Sequence, residues 1–169
     1  HGDCLLPMKK AASLLSRLVE DILAYSRLTQ NTLSRNEEID MNEVVNSVRA
    51  TLEKVIEEKH VNITTDALPI VKSNSIQMYQ LLQNLISNGI KFNTKAKPTG
   101  HLGYRRENGQ HHFLVSDNGI GIDNDFENKI FQIFQRLHKK EEYTGTGIGL
   151  AICEKIVKQH GGEIWLESK

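Results

Sequence analysis

Leu102-Gly-Tyr-Arg-Arg106-Glu-Asn108-Gly109-Gln-His-His112-Phe-Leu-Val-Ser116 is the stretch that decides the fold class. Asn-Gly supplies two residues that tolerate positive φ between two strand-like runs, which predicts a two-residue hairpin. Strands joined this tightly are antiparallel. Before the hairpin, the chain reads as helix and short strand in alternation. A seam helix runs from about Leu5 to Leu33, with Met8, Ala11, Leu15, Leu18, Ile22 and Tyr25 in three-four alternation. Ile39 and Met41 flank Asp40 as an edge strand, and Asn42 is expected to cap a helix reaching about Lys59. Val61, Ile63 and Thr65 alternate as a strand, Ile70-Val71 begins another, and Asn74 or Ser75 caps the next helix. A last helix from about Gly149 to His160 stops at Gly161-Gly162, and Glu163–Glu167 alternates as a final strand. Helices mixed with hairpin-connected strands predict an α+β fold, helices on one face of a mixed sheet, rather than a doubly wound parallel sheet.

Composition narrows the function. Lys and Arg number 21 against 21 Asp and Glu, so the chain lacks the basic footprint of a general nucleic-acid binder. Cys4 and Cys153 lie far apart and form no C-x-x-C pair, which suits free thiols in a reducing cytosol rather than a disulfide or zinc scaffold. No apolar run approaches the ~20 residues needed to span a bilayer, and no signal peptide is visible. Neither nucleic acid nor membrane is therefore expected as a contact of this chain. The long seam helix exposes an apolar stripe that needs partner helices.

Three clusters carry chemistry. Gln80, Asn84, Asn88 and Lys91 recur at spacings of four, four and three on one helix face, opposite Leu82, Leu85 and Ile86. Amide oxygens suit Mg²⁺, and the lysine offers a point charge for phosphate; an exposed polar stripe would look the same. Asp117-Asn-Gly119-Ile-Gly121-Ile-Asp123 follows the apolar run Phe113-Leu-Val115. It sets a carboxylate where it can accept from an exocyclic amine such as adenine N6; an ordinary Asp-Asn-Gly turn would also fit. Thr144-Gly145-Thr146-Gly147-Ile-Gly149-Leu150 opens the last helix, where unpaired N–H groups favour an anion. Its spacing is neither a Rossmann fingerprint nor a Walker A loop. A flexible glycine loop is the alternative.

In order and content these clusters resemble the N box and the two glycine boxes of the histidine kinase ATP-binding domain, and Phe131-Gln-Ile-Phe134 resembles its F box. The fold implied is the two-layer α/β sandwich shared with DNA gyrase, the heat-shock chaperone of ninety kilodaltons and mismatch-repair ATPases. Leu18-Val-Glu-Asp21-Ile-Leu-Ala-Tyr25-Ser-Arg27 looks like the second helix of the dimerisation and histidine-phosphotransfer domain. Residues 1–35 are assigned to that domain and 36–169 to the ATP-binding domain. The run from Phe134 to Tyr143 is similar to the lid of phytochrome-like and hybrid kinases.

The resemblance implies ATP and Mg²⁺ as cofactors. Asp117 would read adenine, Asn88 would ligate Mg²⁺, and Asn84 would support the phosphate side. Lys91 and Arg136 would contact phosphates. Phe92, Ile122 and Leu150 would line the pocket. Gly119 and Gly121 in the first glycine box, and Gly145, Thr146, Gly147 and Gly149 in the second, would complete it. The expected partners are a second copy through the N-terminal helix and a response regulator receiver domain. The expected location is cytoplasmic, whether or not the parent protein is membrane-anchored. His1 is followed by Gly2-Asp3 with no first helix behind it, so the acceptor histidine is expected on a helix that this chain does not carry. No residue here is read as a catalytic group. Where this chain stops, at Lys169, the family usually continues into a Gly-rich turn and a last strand. Either a trimmed fragment or a sheet lacking one strand is therefore expected. A nucleotide-binding dimerising regulator without kinase activity is the alternative function.

Overall fold

The structure, a computed structural model, describes residues 5–30, 37–127, 129–135 and 145–168. The chain divides into two compact units, one of His1–Leu33 with Asn124–Glu167, the other of Ser34–Asp123 with Ser168–Lys169.

The second unit holds β1 (Glu37–Asp40), α2 (Met41–Glu58), β2 (Asn62–Thr65), β3 (Ile70–Ser73), α3 (Ser75–Lys91), β4 (Thr99–Glu107) and β5 (Gln110–Asp117). β1 pairs antiparallel with β3. β2, β4 and β5 form a mixed sheet in that order, β2 parallel and β5 antiparallel to β4. Asn108 and Gly109 both take positive φ, 52° and 80°, the geometry a tight antiparallel hairpin needs. A parallel pair requires a crossover, and between β2 and β4 it consists of β3 and α3. α3 therefore returns the chain to the start of β4. That start pairs with the end of β5, Gly100 opposite Asp117. The topology thus brings the C-terminal turn of α3 beside the first carboxylate after the hairpin. Val44, Val45 and Val48 of α2 and Leu82, Ile86 and Ile90 of α3 are buried, as the 3.6-residue period requires. Lys59 Nζ donates to Ile90 O at 3.1 Å, tying the two helix ends together.

Two local expectations are corrected. Asp40, not Asn42, caps α2: its Oδ1 accepts from Asn42 N at 2.8 Å. Asn42 is already engaged, donating through Nδ2 to Leu68 O and accepting from Leu68 N at Oδ1. Asn74 caps α3 through Gln77 N at 3.0 Å. Residues 163–167 form no strand; alternation supplies the two faces, but a strand also needs a ladder partner.

The first unit holds α1 (Leu5–Gln30), a 3₁₀ turn at Asn124–Phe126, and α4 (Gly149–Gln159). Met8, Leu15, Val19, Ile22 and Leu23 stay exposed along α1, whereas Leu28 is buried. Lys155 Nζ of α4 lies 4.0 Å from the centre of the Tyr25 ring, a cation–π contact. Gln159 Nε2 donates to Leu28 O. Ala151, Ile152, Cys153 and Ile156 make the buried face of α4. Burial pushes the Cys153 thiol up from 9.0 to about 12, against a smaller opposing backbone hydrogen bond. Gly161, at φ +70°, closes the helix, with Gly162 N donating to Val157 O. No helix among the described residues is long and apolar enough to cross a membrane.

Candidate nucleotide site

Asp117 ends β5, and its carboxylate sits between two glycines. Oδ1 accepts from Gly119 N at 2.7 Å. A Cβ built on Gly89 of α3 would lie 3.1 Å from Oδ2, so the helix approaches the carboxylate with nothing but backbone. A Cβ on Gly119 would lie 2.6 Å from both Phe92 O and Asp117 Oδ1. Ile120 N donates to that same Phe92 carbonyl at 3.0 Å. The turn after β5 is thereby pressed against the end of α3. The approach at 119 dictates glycine there; at 89 an added Cβ would require the Asp117 carboxylate to give by a few tenths of an ångström.

Asn84, Asn88 and Lys91 lie half-buried on α3, as does Phe92 at its C-cap. Lys91 Nζ lies 4.7 Å from the centre of the Phe92 ring. Gly121 takes φ +73°, and Ile122 N donates to Ser168 Oγ at 3.0 Å. The structure therefore gathers Phe92, Asp117 and Gly119 around one turn. Asn84, Asn88 and Lys91 sit on the helix beside it.

The second glycine cluster lies in the other unit. Gly147 takes φ +74°, and its carbonyl accepts from Phe134 N at 2.9 Å. The two segments read as F box and second glycine box are thus joined backbone to backbone. Thr146 Oγ1 donates to Asp21 Oδ2 of α1 and lies 3.4 Å from Ile148 N. Ile148, the N-cap of α4, makes no side-chain cap, and Gly149 and Leu150 open the helix. Gly145 through Leu150 are buried to differing degrees, Ile148 fully. Arg136, His138 and the rest of the lid-like run beyond Gln135 lie outside the described residues, as does Thr144.

Sequence reasoning missed Asn93, Asn118 and Ser168, all hydrogen-bonded around the Asp117 turn. The signal for Asn118 was present, since Asn in an Asp-Asn-Gly turn often bonds nearby backbone.

The fold is α+β, and comparison with known proteins gives the class. A family described as histidine kinase-, DNA gyrase B-, and HSP90-like ATPase matches residues 73–169. Cyanobacterial phytochrome A of Nostoc sp. (strain PCC 7120) is 45% identical over 161 residues, 95% of this chain and 21% of that protein. Full-length ShkA, solved in complex with AMPPNP, superposes with a TM-score of 0.80 at 23% identity, over 99% of this chain and 35% of its own. Histidine kinase ThkA, solved in complex with the response regulator protein TrrA, gives a TM-score of 0.77 at 23% identity, over 99% of this chain and 47% of its own. The chain belongs to the histidine kinase-, DNA gyrase B- and HSP90-like ATPase family, and what it carries is the catalytic domain of sensor histidine kinases. It spans about a fifth of the length of the curated relatives it matches first.

Proposed function

We propose that this chain binds ATP with Mg²⁺ and that the protein containing it transfers the γ-phosphoryl group to a histidine on a separate dimerisation helix, for relay to a response regulator aspartate. The observation that carries the reading is the Asp117 carboxylate, held by Gly119 N beside the α3 turn that bears Asn88 and Lys91. Asp117 accepts from the adenine amine, Lys91 supplies charge to the phosphates, and Phe92 and Ile122 give the base an apolar wall. The backbone N–H groups of Thr146 and of the glycines at 145, 147 and 149 serve the phosphate end, with Leu150 as a lining residue and Arg136 as a second cation. The residues fit Mg²⁺ in one specific way. No cluster of three His, Cys, Asp or Glu side chains offers a protein cage among the described residues. Asn88 instead contributes an amide oxygen, and Mg²⁺ commonly keeps waters and phosphate oxygens alongside few protein ligands. Bound there, the ion would neutralise phosphate charge; the chain's task is positioning in a loose transition state.

The exposed stripe Leu15, Val19, Ile22 and Leu23 on α1 supports dimerisation through that helix. The domain boundary is placed near residue 35, and the working compartment is the cytoplasm. The ThkA–TrrA complex supports a receiver domain as partner.

Calorimetry with Mg-ATP tests the first half. Asp117→Ala should lose nucleotide binding, and equal affinity for the variant and the native chain would overturn the reading. Radiolabelled ATP offered with a separate acceptor-helix protein tests the second: label on its histidine supports the kinase, and binding without transfer supports a non-catalytic regulator.

A further inference from the structure

Asn93 is a buried polar side chain, 8% exposed, one residue past the α3 C-cap. Its Nδ2 donates to Asn118 Oδ1 at 2.7 Å, and its Oδ1 accepts from Lys95 N at 3.0 Å. Asn118 is as fully engaged. Its Oδ1 also accepts from Thr99 N at 2.8 Å, its Nδ2 donates to Lys97 O at 3.0 Å, and its backbone N donates to Thr99 O. A single amide pair therefore stitches the end of α3, the 93–99 connection, the start of β4 and the residue after Asp117.

This matters because of what Asp117 has on either side. Its N-terminal neighbours are fixed in the β4–β5 ladder. Its C-terminal neighbours are Asn118 and then Gly119, the residue type with the least backbone restriction. The hydrogen bond from Gly119 N to Asp117 Oδ1 exists only while that turn keeps its shape. Asn118 helps to impose that shape, alongside the Ile120 N to Phe92 O bond, and Asn93 anchors it to the helix that carries Asn88 and Lys91.

We infer that Asn93 and Asn118 are positioning residues that set the Asp117 carboxylate for recognition of the exocyclic amine of the base; the inference rests on the nucleotide reading above. Loop satisfaction alone would also employ these amides, so the test needs a readout that loop stability does not move. That readout is discrimination between Mg-ATP and purine riboside triphosphate, which lacks the 6-amino group, measured by calorimetry on the whole chain.

The native chain is expected to prefer ATP by about tenfold, the scale of one hydrogen bond to a charged acceptor. In Asn118→Ala and Asn93→Ala the preference should fall to within about twofold. Asn118→Asp keeps the oxygen that accepts from Asn93 and Thr99 but loses the donation to Lys97 O and adds a charge beside Asp117. Its preference should therefore fall between those of the native chain and Asn118→Ala. Asn93→Ala, which removes one anchor, carries the test if Asn118→Ala does not fold. Variants that lower the melting temperature, or weaken both nucleotides equally, while keeping the tenfold ratio overturn the positioning role. A native chain that does not discriminate overturns the reading of Asp117, and the inference with it.

Discussion

The two glycine-containing segments are held in different proportions by side chain and backbone. Around the turn after Asp117 side chains predominate: Asn93 and Asn118 stitch its flanks and Asp117 itself accepts from Gly119 N, with backbone bonds from Ile120 N to Phe92 O and Asn118 N to Thr99 O beside them. The segment at Gly145–Gly149 is held mainly by backbone, through Phe134 N and Gly147 O, and by one hydroxyl, that of Thr146. Glycine serves each for a different reason. At 119 a Cβ has no room; at 147 the chain needs φ +74°. Under the proposed function the difference would separate two tasks. A base would be read by one fixed acceptor, which gains from preorganisation. A phosphate would be received by helix N–H groups, and the N-cap residue of α4 makes no side-chain cap.

Substituting the two glycines would break this comparison most directly. Gly119→Ala puts a methyl 2.6 Å from a backbone carbonyl oxygen that cannot swing aside. It should destabilise its unit by about 3 kcal/mol, the upper range for overpacking, and abolish ATP binding. Gly147→Ala carries a left-handed penalty of about 1–2 kcal/mol, with a 3.1 Å approach to the Phe134 backbone added. Urea denaturation with calorimetry measures both, and equal or reversed costs would show that the two glycines do the same work.

The next effect tests what anchors the second segment. Native Cys153 keeps its proton up to about pH 12, while the unfolded thiol releases it near 9.0. A raised native value means stability is fully present below pH 9 and is lost as pH rises from 9 toward 12. The slope is about 1.4 kcal/mol per pH unit. Subtracting the alkaline stability curve of Cys153→Ala isolates it from lysine titration. Identical slopes for the two proteins would mean that the buried face of α4 opens before the helix unfolds.

Much of this comparison was legible in the residues, and the part that was not has a common cause. Asn108-Gly109 specified its turn locally, and the cap of α3 was narrowed to Asn74 or Ser75, of which the structure uses Asn74. The α3 stripe and the last helix stop followed from period and glycine. The misread cap at Asn42 failed because its amide is used by Leu68, 26 positions away. The stitch from Asn93 to Asn118 spans 25 positions. The approach of Gly89 to Asp117 depends on the crossover that returns α3 to β4. The expected strand at 163–167 needs a ladder partner that alternation cannot supply. Local chemistry could be read; long-range amide pairing and helix-to-turn approach could not.

The smallest effect separates the two segments best. The Thr146 hydroxyl donates to Asp21 and lies near Ile148 N, the group next to the opening of α4. If the phosphate end is an uncapped helix start, a hydroxyl on that N–H competes with the anion. Thr146→Val keeps the shape and removes the competitor. Stability should fall by about 1 kcal/mol, one hydrogen bond's worth. Affinity for Mg-ATP should hold or rise by about twofold, because an N–H released from a neutral acceptor is available to a charged one. Asn118→Ala should move affinity the other way. A clear fall in ATP affinity for Thr146→Val would place the hydroxyl itself on the nucleotide. Both ends of the site would then be built on fixed side chains, and the contrast between them would be lost.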